Sequence, residues 1–196
     1  MLSKTGIYAM TTFYLIRHAH VEFSSDEQRS LSIKGQTDAE SVANLLGKYP
    51  ISQIYSSPFQ RALQTVKPLA KKLDLMIHVE PDLRERYLGH APKDIDFLSM
   101  VQQTWQDPSF SFRGGESNLA AQRRGMRIFR QLSEHHSGEH LALSTHGNLL
   151  CLIIQSFESR INYDFWKALT MPDIYVLRLT EERTTVTRLW QLSVAK

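Results

Sequence analysis

A single cysteine, Cys151, in 196 residues excludes an internal disulfide and fits a reducing compartment. It stands in the apolar run Leu149-Leu150-Cys151-Leu152-Ile153-Ile154, which predicts a buried, inert thiol rather than a nucleophile. No apolar run approaches the roughly 20 residues that a membrane span needs. Lys4 is followed by neither a long apolar stretch nor a small-residue cleavage site, so no secretory signal is read. A cytoplasmic protein with no membrane partner is expected. Basic blocks with interleaved aromatics are lacking too. The net charge of +3 and the pI of 9.0 are too small and too dispersed for a nucleic-acid partner. A few converging arginines would still suffice for an anionic small molecule. Around His135, His136 and His140 no carboxylate stands at ligand spacing, so no metal is expected there. Internal repeats, low-complexity tracts and interdomain linkers are missing as well.

What is present is globular. Hydrophobic residues make up 42% and charged residues 22% of the chain, near the average for a packed domain. The length suits one domain over 1–196. Met10-Thr11-Thr12-Phe13 reads as a second start, which makes residues 1–9 an N-terminal extension. Strands and helices alternate along the chain. Phe13-Tyr14-Leu15-Ile16 is a short continuous apolar run, as in a strand buried on both faces. Residues 33–46 carry Ala39, Val42, Ala43, Leu45 and Leu46 at helical spacing, with Gly47 placed to end the helix. Gln53–Ser56 reads as a strand, and Ser57-Pro58 as the N-cap and first-turn proline of a helix to about Lys72. Met76–Val79 and Leu141–Ser144 read as further strands.

Helices are expected over 94–105, from Ser117 to about His136, and from Asn148 to Ser156. Ile174–Leu179 and Thr185–Leu189, around Glu181-Glu182, form a hairpin or two edge strands, antiparallel if paired to each other. Repeated strand-then-helix units imply an α/β fold of three layers, αβα. It would have a mostly parallel central sheet with helices on both faces. Residues 86–113, with Gly89, Pro92 and Pro108, read as an insert on the substrate side.

Ligands of open α/β sheets gather beyond the carboxyl ends of the strands. Arg17-His18-Ala19-His20, Ser56-Ser57-Pro58 with Arg61, Leu83-Arg84-Glu85 and Thr145-His146-Gly147-Asn148 all stand at such ends. Parallel strands would bring them to one rim. Arginine forks hold the oxygens of a phosphate monoester, and Arg61 falls on a first helical turn, which favours an anion. A neutral imidazole can attack phosphorus near pH 7. A carboxylic acid can protonate the leaving oxygen and then activate water.

Together, Arg17-His18, Ser57-Pro58 with Arg61-Ala62 and Gln64-Thr65, Leu83-Arg84-Glu85 and His146-Gly147 resemble the histidine phosphatase superfamily, in its phosphoglycerate-mutase-like branch. The likeness runs from about Thr12 to Ser156, with the motifs in order. It implies a metal-independent, cofactor-free reaction in which His18 becomes phosphohistidine. Arg17, Arg61 and His146 would stabilise the equatorial oxygens, and Glu85 would serve as acid and then base. Asn148 is a further candidate phosphate contact. The Leu31-Ser32-x-x-Gly35 segment and Gly114-Gly115-Glu116-Ser117 also match recurring pieces of the family. Both read as helix entry signals, with Glu116 and Ser117 satisfying first-turn N–H groups.

Three departures bear on substrate identity. Ala19-His20 replaces the usual Gly-Glu of the first motif, where alanine tolerates positive φ less well. His20 then stands in the substrate site or at its edge. Tyr87-Leu88-Gly89-His90 replaces a tryptophan-centred phrase, and Phe23-Ser24-Ser25-Asp26 replaces a usual asparagine. Arg123, Arg124, Arg127 and Arg130 on one helix read as a solvated face. Among Phe97, Trp105, Phe110 and Phe112, anchoring of the insert is favoured over lining a subsite.

The expected activity is hydrolysis of a small metabolite's phosphomonoester. The alternatives are a phosphoglycerate-type mutase, a phosphoprotein phosphatase, or a phospho-ligand binding module without turnover. The short insert and the absence of an Arg-His-Gly-Gln-Ser opening argue against the mutase. A homodimer is compatible with the sequence and not specified by it.

Overall fold

The computed structural model describes residues 10–22, 24, 26–180 and 183–190. Residues 1–9, which were read as an extension, Phe23, Ser25, Glu181, Glu182 and 191–196 lie outside the described residues. Six strands form one sheet in the order β3-β2-β4-β1-β5-β6. They are β1 (Thr12–Arg17), β2 (Gln53–Ser56), β3 (Ile77–Val79), β4 (His140–Thr145), β5 (Asp173–Leu179) and β6 (Thr184–Arg188). Strands β1 to β4 are mutually parallel. Strand β5 runs antiparallel to β1 and β6 antiparallel to β5. The fold is the three-layer α/β arrangement expected, with the antiparallel pair at one side.

Side chains of successive strand residues point to opposite faces, and β1 shows what that does here. Phe13 and Leu15 join a core shared with α4 (Asn118–His135) and α5 (Gly147–Gln155). Tyr14 and Ile16 join a second core, shared with α1 (Ile33–Leu46) and α2 (Gln60–Leu73). All four are essentially inaccessible, and each such burial stabilises the fold by about 1.5–3 kcal/mol. A strand clad on both faces has no polar alternation, which is why its sequence reads as one apolar run.

Strand β4 lies between β1 and β2, so the chain reverses direction across the sheet there and opens a crevice at the carboxyl ends of β1 and β4. Two backbone bonds beyond the strands hold that crevice together. His18 N–H donates to the Thr145 carbonyl at 3.0 Å and Ser57 N–H to the Ser144 carbonyl at 2.9 Å.

Helix entries follow the predicted signals in part. Ser32 caps α1 by accepting from Gly35 N–H, and Ser117 caps α4 by accepting from Ala120 N–H. A Cβ on Gly35 would stand 2.1 Å from the His20 carbonyl oxygen, so only glycine lets α1 approach the first motif. Helix α2 departs from expectation: it starts at Gln60, with Phe59 as an N-cap lacking a side-chain bond. Ser57 does not cap it. A short 3-10 turn, Pro81–Leu83, and the helix α6 (Tyr163–Lys167) were not legible in the sequence. Both are shorter than two turns, too brief for a periodic pattern.

Within 86–113, α3 (Phe97–Gln106) is capped by Asp96 and buries Met100, Val101 and Thr104. Gly89, at φ 93°, lies where an added Cβ would stand 2.9 Å from the Arg113 carbonyl oxygen. That close passage joins the two ends of the segment, and His90 N–H donates to the same oxygen at 3.0 Å.

Candidate active site

His18 follows β1 and is 6% exposed. Its Nδ1–H donates to the Ala19 carbonyl at 2.8 Å, so the lone pair of the ring lies on Nε2. Arg61, in the first turn of α2, directs its Nε–H to that nitrogen at 3.3 Å. The His146 ring stands edge-on to His18, with centroids 5.2 Å apart. His146 Nε2 and Ser57 Oγ share a 2.8 Å hydrogen bond. Phe59 meets the same ring edge-on, and the Arg61 guanidinium lies 4.7 Å over Phe59. Arg17 is fixed by the loop before β5, donating from Nη1 to the carbonyls of Leu169 and Thr170 at 3.0 and 3.3 Å. It lies against the start of α5, since a Cβ on Gly147 would be 3.0 Å from its Nε.

Glu85 is held by the free N–H groups of a helix start. Its Oε2 accepts from Asn148 N–H at 3.0 Å and its Oε1 from Leu149 N–H at 3.1 Å. Arg86 N–H donates to Oε1 as well, at 2.8 Å. The Asn148 and Leu149 amides belong to the first turn of α5, whose N-cap, His146, makes no side-chain cap bond. The carboxylate therefore serves as the helix cap from a distant loop and shares a corner with His146.

Burial and arginine charge set the protonation here. His18 is pushed down from 6.5 to about 3, chiefly by burial and then by Arg61, Arg17 and Arg29, although its bond to Ala19 works the other way. His146 is pushed well below its ordinary value by burial and by its neighbours His18 and Arg61. Burial, with Arg29 nearby, lowers Arg61 to about 10, still protonated at pH 7. Two neutral imidazoles thus sit among cationic guanidinium groups, an arrangement that receives an anion and leaves a nitrogen lone pair available.

Arg61 and Glu85 line a cavity of ≈470 Å³ together with Glu27, Arg29, Phe59, Arg84, Arg86 and Tyr87. Two other concavities, of ≈350 and ≈400 Å³, are lined by neither Arg61 nor Glu85.

Arg17, His18, Arg61, Glu85 and His146 come together in the crevice. His20 and Asn148 are placed differently. His20 turns to the start of α1, where its Nδ1 and Ser32 Oγ share a 2.8 Å bond. Both ends of the Asn148 amide are engaged away from the imidazoles. Its Oδ1 accepts from Trp105 Nε1–H at 3.1 Å, and its Nδ2 donates to Asn118 at 3.0 Å. Trp105 and the buried Phe112 anchor 86–113, and only Arg86 and Tyr87 of that segment line the cavity. Ala19 is outside the left-handed region, which alanine tolerates less well than glycine.

Two readings of the sequence need correcting. Glu116 does not satisfy first-turn N–H groups: both its oxygens pair with Arg124, at 2.9 and 2.8 Å. Arg124 is accordingly not on a solvated face. It is 5% exposed and donates to the carbonyls of Asp82 and Arg84, clamping the segment that presents Glu85. Arg29, Arg86 and Arg124 were the site residues that sequence reasoning missed. Arg86 directly follows the Leu83-Arg84-Glu85 motif without being part of it, and Arg29 and Arg124 stand beside no motif that sets them apart from other arginines. Among the described residues, no three His, Cys, Asp or Glu side chains converge as a metal-holding group, and no helix is long and apolar enough to cross a membrane.

The chain is 28% identical over 130 residues to glucosyl-3-phosphoglycerate phosphatase of Mycobacterium tuberculosis, covering 60% of this chain and 58% of that protein. It is 28% identical over 159 residues to a metal-independent phosphoserine phosphatase of Arabidopsis thaliana, covering 72% and 66%. The chain thus spans less than two thirds of either relative. The solved native structure of mycobacterial glucosyl-3-phosphoglycerate phosphatase superposes with a TM-score of 0.74 at 23% identity, over 92% of this chain and 97% of that one. At that identity the likeness speaks for the fold. The family described as histidine phosphatase superfamily (branch 1) matches residues 13–191. The chain belongs to the histidine phosphatase superfamily.

Proposed function

We propose that this protein hydrolyses a phosphomonoester of a small metabolite, through a phosphohistidine on His18 and without a metal. The observation that carries the reading is the orientation of His18. Its Nδ1–H is committed to Ala19 and its Nε2 lone pair lies beside Arg61, at the crevice shared with His146, Arg17 and Glu85.

In the first step the Nε2 lone pair bonds to phosphorus while the phosphorus–oxygen bond to the leaving group breaks. Glu85 gives its proton to the departing oxygen. Arg17, Arg61 and His146 donate to the three equatorial oxygens, where charge concentrates. In the second step Glu85 takes a proton from water as the water oxygen bonds to phosphorus. The phosphorus–nitrogen bond then breaks and its electron pair returns to Nε2. Phosphate leaves with the enzyme restored.

The relatives act on a glucosyl-3-phosphoglycerate and on phosphoserine by name, which supports hydrolysis of a small phosphorylated metabolite. The ≈470 Å³ cavity suits a substrate of that size. We take the chain as one domain, with 86–113 as an insert on the substrate side, and a cytoplasmic setting for the unpaired, buried Cys151.

The test is hydrolysis of an aryl phosphate. Wild type is expected to release phosphate at an undiminished rate in EDTA, His18→Ala to be inactive, and Glu85→Gln to be slowed by about 10²–10⁴-fold. Turnover persisting in folded His18→Ala would refute the nucleophile. Inhibition by EDTA that added divalent ions reverse would refute metal independence.

A further inference from the structure

Asp173, the first residue of β5, is fully buried, and nothing in the mechanism above uses it. A carboxylate so placed is costly unless its oxygens are engaged. Here both are. Arg188, at the end of β6, grips them as a fork, Nε–H donating to Oδ1 at 2.9 Å and Nη2–H to Oδ2 at 2.7 Å. Ile174 N–H donates to Oδ1 at 3.0 Å and Thr170 N–H to Oδ2 at 3.1 Å. Four donors fill the acceptor sites of one carboxylate, so Asp173 has none to spare for a substrate.

What the fork holds is the turn at Thr170. The Thr170 hydroxyl donates to the Pro172 carbonyl at 2.6 Å and accepts from Arg188 Nη2–H at 3.2 Å. The same turn presents the Leu169 and Thr170 carbonyls that receive Nη1–H of Arg17. At its other edge the Arg17 guanidinium lies against Gly147, where an added Cβ would stand 3.0 Å from Nε. A planar guanidinium held at Nη1 and crowded at Nε keeps one plane, and the turn chooses it. A well-packed apolar pair could match an ion pair for stability. It could not hold the Thr170 amide and hydroxyl.

We propose that Asp173 and Arg188 are positioning residues for the reaction: their fork sets the Leu169 and Thr170 carbonyls that aim Arg17 at the transferring phosphoryl group. This deepens the hydrolase reading and rests on it for the role of Arg17. Neither residue touches the phosphoryl group, and neither takes part in bond making or breaking.

The experiment measures turnover of an aryl phosphate and, by calorimetry, the dissociation constant of orthovanadate, whose bound form imitates five-coordinate phosphorus. Arg188→Gln should lower kcat by at least about fivefold and up to about 10²-fold, with KM moving by less than about threefold. Orthovanadate should weaken by a factor similar to the loss in kcat. Arg188→Lys, which keeps the charge but not the fork, should recover part of both. Asp173→Asn should act in the same direction. If it does not fold, Arg188→Gln, altered at a side chain that is 42% exposed, carries the test alone. A merely structural pair would act alike whatever stands at position 17. In an Arg17→Lys background, Arg188→Gln should instead change both readouts by less than about twofold, because a single ammonium has no plane for the turn to set. An undiminished kcat in Arg188→Gln, or an equal loss in both backgrounds, overturns the proposal. If wild type hydrolyses no aryl phosphate while orthovanadate binding still shows the coupling, the hydrolase reading fails and the positioning of Arg17 stands.

Discussion

Acidification from pH 7 to pH 5 should weaken this fold through His18, and His18→Gln should remove that part of the loss. In the folded protein the imidazole is held neutral down to about pH 3, against an ordinary value of 6.5. A base with a depressed folded pKa binds its proton first in the unfolded chain. Stability is therefore fully present above the unfolded value and falls as pH drops through 6.5 toward 3. The slope approaches about 1.4 kcal/mol per pH unit, which integrates to roughly 2 kcal/mol between pH 7 and 5 for this one residue.

Replacing His18 also removes packing, so the variant's stability at pH 7 is not the quantity to read. The difference between the two pH values is, because the other titrating groups are common to both proteins and cancel to first order. Urea unfolding at pH 7 and pH 5 measures it. Wild type should lose about 2 kcal/mol more than His18→Gln across that interval. An equal loss in the two proteins would mean that His18 is protonated in the fold at pH 5. The neutral nucleophile, and with it the electrostatic account of the crevice, would then be wrong.

Arg124→Lys keeps the charge beside Glu116 but cannot hold both its oxygens and the carbonyls of Asp82 and Arg84 together. We expect kcat on an aryl phosphate to fall by up to about 10²-fold, the scale of a misplaced catalytic group, with KM moving little. A KM effect alone would show that Arg124 does not position Glu85. Gly35→Ala places a methyl carbon 2.1 Å from the His20 carbonyl oxygen. It should destabilise the protein by about 1–3 kcal/mol in thermal unfolding, and an unchanged Tm would refute the close approach of α1 to the first motif.

Much of the architecture was legible because its causes are local. Phe13–Ile16 and Leu141–Ser144 are apolar without alternation, the mark of strands covered on both faces. Ser32 and Ser117 announce helix starts through bonds that span only three residues. The motifs at strand ends were legible for a related reason. Once strands are parallel, their carboxyl ends share a rim whatever the connecting helices contain.

Other features depend on which distant segment a side chain meets, and the tertiary structure alone decided them. Ser57-Pro58 looks like a helix start, yet Ser57 is taken by His146, 89 residues away, and the helix begins later. The arginine-rich stripe of α4 looks solvated until Arg124 is found against the loop at Asp82–Arg84, some 40 residues earlier. Glu85 shows its hold on α5 only when the first turn of that helix is brought beside it. His20 and Asn148, close in sequence to the imidazoles, turn to Ser32 and to Trp105 and Asn118 instead. Periodicity and capping thus determined the elements and the rim, because they act within a few residues. The direction and charge state of each site residue came from burial against segments far along the chain, which spacing does not encode.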